Sequence, residues 1–329
     1  MARASSWTVG VDFGGTYVKL GLVDQAGRVR HAERLASQTV RSPGAFIEGV
    51  SEAVERLGRR VGVRPLGLRG VGVGAPGPID GRRGIVHNLV NVPGWQLVPL
   101  KQRLERRLRC PCAVDNDANL YILGEARFGA GRGAKTLVGL TLGTGVGGGI
   151  VLDGRVFRGA VGAAAELGHM VIDPQGARCG CGARGCLESH VGTAAILRLA
   201  RSAVQGRARI LQRLMQQPGA RLTPELVCRA ADLGDASARA IWQDVGRWLG
   251  IGVANLVNIL NPDVVVIGGG VANAWRHFAP ALRVQVRRQA LELPRHSARI
   301  VRSQRGNEAG IVGAAVLVWN EMQGGQARA

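Results

Sequence analysis

Twice in this chain a β-rich run breaks at a glycine turn and then resumes. That repeat constrains the fold more than any other feature. The first copy is WTVGVDFGGTYVKLGLVDQAGRVRHAERL, and the second is LVGLTLGTGVGGGIVLDGRVF, beginning at Leu137. Glycines between β-branched, apolar runs are hairpin chemistry, so each copy predicts strand, glycine turn, strand and turn, with a third strand in the first copy. Two copies predict an internally duplicated α/β chain. Between and after them the apolar spacing is helical. Phe46, Ile47, Val50, Val54 and Leu57 mark one helix over residues 43–60, and residues 97–109 form an arginine-faced one. PCAVDNDANLYILGEARFG reads as a strand, a tight turn and a helix capped by Asn116 or Asp117. Helices follow the second copy to about residue 260. PDVVVIGGGVAN is then a buried strand, glycine turn and helix start, ARIVRS a short strand, and GNEAGIVGAAVLVWNEM a closing helix that returns to the first half.

A chain of 329 residues holds two domains or one large one. At 46% hydrophobic and 20% charged it is an ordinary globular composition. MARASSWTVG has no apolar core of a signal peptide. The longest uncharged run, residues 136–152, is short for a membrane span and too rich in glycine for a helix. The expectation is a cytoplasmic protein with no membrane partner, whose cysteines are metal ligands or buried thiols rather than disulfides.

The formal charge of +20 favours anionic partners. Of the 43 basic residues only Lys19, Lys101 and Lys135 are lysine. Arginines recur over residues 56–64, 103–109 and 283–305, spread over several helices, and no aromatic residues interleave them as a single-strand platform requires. Nucleic acid is therefore disfavoured. Richness in arginine, alanine, glycine and valine fits a GC-rich genome, the simpler source of the charge. Polyphosphate stays open as a phosphoryl donor beside ATP.

His169, Cys179, Cys181 and Cys186 fall within eighteen residues, in GHMVIDPQGARCGCGARGC. Thiolate and imidazole are the donors Zn²⁺ prefers, and a closed Cys₃His set marks a structural site. Packed free thiols have no reason to cluster in a glycine-rich loop. Glu166 and Glu188 flank the loop, so the metal is placed to hold two carboxylates at a pocket.

Three glycine turns are candidate phosphate or nucleoside contacts. At Asp12, Gly14, Gly15 and Thr16 the glycines admit an anion to backbone N–H groups, Thr16 adds a hydroxyl, and Asp12 is placed for Mg²⁺. Gly143, Thr144, Gly145 and Gly147 form the second, and Gly268, Gly269 and Gly270 the third. Neither a Walker A nor a dinucleotide glycine signature is present. Asn116 and Asp117 supply an amide and a carboxylate at a strand end. Such groups suit a polyol, and a carboxylate can take a proton from an attacking hydroxyl.

In order along the chain, DFGGT, GAPGPID, NVPGW, DNDAN, TLGTGVGGG, ELGH, CxCGxxGCLE and GNEAGIVGAA resemble the ROK family of sugar kinases and repressors, within the hexokinase/actin/Hsp70-like ATPase superfamily. The resemblance covers essentially the whole chain. It implies a two-lobed actin-like (ribonuclease H-like) α/β fold with an interlobe cleft and a zinc loop. The lobes are read as residues 1–117 plus 303–329 and residues 118–302. It implies Asp117 as catalytic base. Gly77, Asn91, Asn116, Glu166, His169 and Glu188 fall on the sugar, the first two glycine turns on the phosphates of ATP, and residues 268–270 near adenosine. It implies a homodimer, or a tetramer. Arg305, before Gly306 and Asn307, departs from the Leu of many members and touches the wall expected for adenine. The expected activity is ATP-dependent phosphorylation of a hexose 6-hydroxyl, glucose first. N-acetylmannosamine, N-acetylglucosamine, mannose or fructose are the alternatives, and a sugar-responsive repressor is the alternative of another class. About a dozen residues precede the first motif, too few for a helix-turn-helix domain.

Overall fold

The computed structural model describes residues 6–89, 92, 94–206 and 208–326. Its contacts group into two compact units. One is Met1–Gly133, Gly149–Ala165 and Gln304–Ala329, and the other is Ala134–Gly148 and Glu166–Ser303.

The first unit contains β1 (Thr8–Phe13), β2 (Tyr17–Val23), β3 (Val29–Ala36), α1 (Pro43–Arg59), β4 (Gly70–Ala75), β5 (Ile79–Asp80), β6 (Ile85–Asn88), β7 (Gln96–Pro99), α2 (Leu100–Leu108), β8 (Cys112–Asn116) and α3 (Asp117–Phe128). The strand order of its main sheet is β3-β2-β1-β4-β8. β1–β2 and β2–β3 are antiparallel, as the glycine and Asp-Gln-Ala-Gly turns dictate, whereas β4 runs parallel to both β1 and β8. Strand β4 is buried throughout, as expected of a strand covered on both faces. Phe13, Phe46 and Trp95 form an aromatic cluster, with ring centroids 4.7 Å apart for Phe13–Phe46 and 5.4 Å for Phe46–Trp95. The Trp95 indole N–H donates to Arg41 O at 2.6 Å, so the ring is buried without an orphaned donor.

The remaining elements are β9 (Thr136–Leu142), β10 (Val146–Leu152), β11 (Arg155–Val156), α4 (Leu187–Val191), α5 (Thr193–Gln205), α6 (Arg209–Met215), α7 (Pro224–Asp232), α8 (Ala236–Leu260), β12 (Val264–Gly268), α9 (Trp275–Gln289), α10 (Glu292–Ser297), β13 (Arg299–Arg302) and α11 (Ala309–Gln326). Their sheet has the order β11-β10-β9-β12-β13, with β12 parallel to β9 and to β13. A three-strand run joined to two parallel strands thus occurs twice, which is the duplication the glycine hairpins predicted. The end of β10 from Gly149, with β11, groups with the first unit.

Two features differ from the sequence reading. The division after residue 117 is not where contacts divide. Helix α3 lies in the first unit, packed on α11 so closely that a Cβ on Gly313 would sit 1.7 Å from Leu120 O. The reading also passed over a small antiparallel sheet, β5-β6-β7, whose strands are two to four residues long.

Candidate functional site

In the first unit the candidate residues gather at the ends of adjacent strands. Asp12 pairs in register with Gly74, and Gly74 with Asp115. The C-terminal ends of parallel strands β1, β4 and β8 therefore carry Asp12, the residues leading to Gly77, and Asn116. This is the edge at which open α/β sheets bind ligands. At the β1–β2 turn Gly14 N donates to Tyr17 O at 3.1 Å, and Gly14 O accepts from Ser37 Oγ at 2.7 Å. Gly15 and Thr16 are exposed, and a Cβ on Gly15 would meet nothing within 4 Å. The turn is thus fixed from behind and open in front. Burial pushes the Asp12 carboxyl above its ordinary value, against the pull of Lys19 Nζ at 3.7 Å.

Asn116 caps α3, its Oδ1 accepting from Ala118 N at 2.9 Å and Asn119 N at 3.2 Å. Its Nδ2 donates to Gly77 O at 3.1 Å. The sequence reading allowed either Asn116 or Asp117 as cap, and the structure selects Asn116. Asp117 is the first residue of the helix, with Oδ1 2.8 Å from Ala118 N. Gly77, Asn116 and Asp117 are thus brought together. Asn91 lies outside the described residues.

In the second unit the β9–β10 turn is closed by Gly143 N donating to Gly145 O at 2.9 Å, and is tied to α5 by Thr193 Oγ1 donating to Gly143 O at 2.8 Å. Thr144 is exposed. Glu188, in the first turn of α4, accepts from Val146 N at 2.9 Å through Oε2, while its Oε1 lies 3.6 Å from Cys179 Sγ. One carboxylate therefore joins the glycine turn to the cysteine cluster. Gly269, at φ 83, follows β12 against the end of β9, where a Cβ would lie 2.2 Å from Leu142 O, and Gly270 is exposed beside it. Glu166 is exposed and its carbonyl accepts from His169 N at 3.0 Å. The second unit thus brings together residues 143–147, Glu188, His169 and the three cysteines.

The ligand atoms of His169, Cys179, Cys181 and Cys186 all lie within 4.8 Å of one another. Cys181 Sγ and Cys186 Sγ are 3.7 Å apart, and Cys179 Sγ is 3.6 Å from His169 Nδ1. Tetrahedral bonds of ~2.3 Å to sulfur and ~2.05 Å to nitrogen require edges of about 3.8 and 3.6 Å. The four donors fit a zinc ion. Nδ1 faces the thiols, which leaves Nε2 as the ring nitrogen for a hydroxyl. Burial raises the Cys179 thiol and pushes Cys186 up to about 12, whereas the Ala183 backbone N–H lowers exposed Cys181. A second group, Cys228, Asp232 and His277, also brings donors within 4.8 Å. There Asp232 is already engaged by Arg276 and, at 2.6 Å, by His277 Nε2, which makes it an ion-pair cluster.

Arg305, the departure near the expected adenine wall, is used inside the first unit. Its backbone N donates to Glu125 Oε1 at 2.6 Å, and its Nη2 donates to Gly27 O at 2.8 Å and to Glu308. Sequence reasoning missed Ser37, Thr193 and the part-buried pair Arg158–Asp115 at 2.6 Å. None carries a local signal, because each acts on a residue far along the chain.

Fold and site together define a duplicated α/β chain with a glycine turn and carboxylates in each half. The ROK family profile matches residues 8–321, and the chain belongs to the ROK family. It is 36% identical over 313 residues to a glucokinase of Halalkalibacterium halodurans, covering 95% of this chain and 94% of that one. It is 34% identical over 324 residues to an N-acetyl-D-glucosamine kinase of Escherichia coli, covering 94% and 98%. Among solved structures, the ROK family glucokinase of Streptomyces griseus, in complex with glucose and AMPPNP, superposes with a TM-score of 0.81 at 34% identity, over 95% of this chain and 99% of that one. No helix among the described residues is long and apolar enough to cross a membrane.

Proposed function

We propose that this chain is an ATP-dependent sugar kinase that transfers a phosphoryl group to the 6-hydroxyl of glucose. The observation that carries the reading is the first-unit group. Asp117 stands at the end of β8, two strands from the open Gly14, Gly15 and Thr16 turn at the end of β1, a separation of roughly 10 Å at ordinary strand spacing. A base for the attacking hydroxyl and a cradle for the donor's phosphates thus share one sheet edge. Glucokinase relatives support glucose, and the N-acetylglucosamine kinase supports the acetylated sugar as the alternative.

In this reading Asp117 accepts the proton of the 6-hydroxyl as it attacks phosphorus. Asn116, Glu166, His169 and Glu188 bond the other hydroxyls. Backbone N–H groups of the glycine turns bind the phosphate oxygens, and residues 268–270 face the nucleoside. Asp12 is the carboxylate placed to hold Mg²⁺, directly or through water, and the ion supplies charge neutralisation on the phosphates. Zinc on the Cys₃His set would be structural, fixing His169 and the loop that leads through Cys186 into the first turn of α4, where Glu188 sits.

Asp117→Asn keeps size and hydrogen bonding but removes basicity. It lowers kcat by ~10²–10⁴-fold and leaves glucose affinity within about threefold. A kcat near wild type refutes the assignment. The same coupled assay run with glucose, N-acetylglucosamine, N-acetylmannosamine, mannose and fructose ranks kcat/KM. Polyphosphate in place of ATP tests the second donor.

A further inference from the structure

We infer that Arg158 is a positioning residue for this reaction, clamping the buried Asp115 carboxylate and so fixing the turn that presents Asn116 and Asp117. The inference rests on the kinase reading above. Asp115 is 1% exposed, yet it carries a carboxylate one residue before Asn116. Both oxygens are committed. Oδ2 accepts from Arg158 Nε at 2.6 Å. Oδ1 accepts from Asn116 N at 2.7 Å and from Asn119 Nδ2 at 3.0 Å. The first bond joins the carboxylate to a cation, and the other two hold the backbone entering α3 and the helix's first turn. Asn116 then caps that helix, and Asp117 is its first residue.

A carboxylate at this depth is costly unless it is paired. Arg158 is the cation paired with it among the described residues. A neutral pair of the same volume would fill the space with a smaller desolvation cost. What the charged pair adds is direction: a charge-assisted acceptor on the Asn116 N–H sets the strand-to-helix turn more firmly than a neutral one. Arg158 is itself held. Its carbonyl accepts from Ala164 N at 3.1 Å. Its stem crosses Gly81, where a Cβ would lie 2.6 Å from Arg158 Nε and 3.0 Å from Asp115 Oδ2. The clamp therefore needs three residues, Arg158, Asp115 and a glycine at position 81. Arg158 touches no reacting atom and acts only through Asp115.

Misplacing a reacting group by about 1 Å can cost ~10²-fold in rate. Arg158→Met accordingly lowers kcat by ~10–100-fold, with KM for ATP within about twofold, and Arg158→Lys recovers part of the loss. A merely structural role would also lower kcat by removing folded enzyme, so the deciding measurement is a double-mutant cycle with Asp117→Asn. If Arg158 works by placing the Asp117 carboxylate, Arg158→Met in the Asp117→Asn background costs less than about threefold, because the group it places has lost its function. If it only stabilises the fold, the two losses multiply. Should Arg158→Met fail to fold, the same cycle is run with Arg158→Lys and with Asp115→Asn/Arg158→Met, which removes both charges together. A large loss in Asp117→Asn with Arg158→Met near wild type, or with multiplying losses, overturns the inference and leaves the kinase reading standing. Asp117→Asn near wild type overturns both.

Discussion

Gly145→Ala tests whether the second glycine turn controls the sugar side of the site through Glu188. A Cβ at this position would lie 2.4 Å from Glu188 Oε2, and ordinary van der Waals contact begins at 3.4 Å. Gly145 is not in the left-handed region, so the backbone accepts alanine. The carboxylate must then withdraw by about 1 Å. The atom in the way is the tip of a flexible side chain, so the steric cost itself is small. The larger effect is on the bond from Val146 N to the same oxygen, now 2.9 Å, which is stretched past the ~3.5 Å at which a hydrogen bond ends. A hydrogen bond to a charged group contributes about 1.5–3 kcal/mol. With glucose bound, Glu188 either stays withdrawn and loses its hydroxyl or returns against the new methyl, so the cost falls on affinity. Glucose Kd measured by calorimetry should rise roughly 10–100-fold. Gly143→Ala is the matched control, because a Cβ there meets nothing within 4 Å, and it should leave glucose Kd unchanged. A Gly145→Ala Kd within twofold of wild type would refute the coupling of this turn to the sugar.

The zinc site makes a proton prediction. Burial favours the neutral Cys179 and Cys186 thiols, so zinc added to chelator-treated protein should release at least ~2 protons per ion in weakly buffered solution. Fully active protein with no bound metal would sink the structural role, and Cys186→Ser should lose metal, thermal stability and glucose affinity together. A separate pH effect belongs to His190, which is buried with its ring centroid 4.1 Å from that of Trp248 and tilted 33° to it. Burial lowers its pKa, and Asp173 at 3.8 Å opposes this without reversing it. The unfolded chain therefore binds the proton more readily, so this contribution is intact above about pH 7 and is lost as pH falls through and below the unfolded value near 6.5. His190→Phe should flatten the fall in urea midpoint between about pH 7 and 5, and an unchanged slope would show that His190 is not its source.

What the sequence made legible was what local chemistry decides. Glycines between β-branched runs make hairpins wherever they fall, so both glycine hairpins and the third strand of the first run were readable, whereas the two-residue β11 was not. The cysteine cluster was readable because its ligands lie within one short loop and need no distant partner. The strands β5 to β7 were not, because two to four residues carry no periodicity; burial of Ile79, Val86 and Val98 makes them. Contacts divide after Gly133 rather than after residue 117 because α3 packs on α11, more than half the chain away, through Gly313 against Leu120.

The arginines show the same limit in its sharpest form. In a chain with 43 basic residues nothing local separates a structural, a solvated and a positioning guanidinium. Arg56 pairs with Glu33 and Glu52, and Arg107 with Glu48 and Glu55, on surfaces where water competes for both charges and each pair contributes little. Arg158 is distinguished only by its acceptor. Asp115 is 1% exposed against 25% for Arg158, so loss of the guanidinium leaves a carboxylate with little solvent of its own. The informative quantity is the burial of the anion, which depends on a strand 43 residues earlier in the chain, and no count of charges along the sequence contains it. The net charge of +20 is thus a poor guide to which basic residue matters, and the cycle with Asp117 tests the one that the fold singles out.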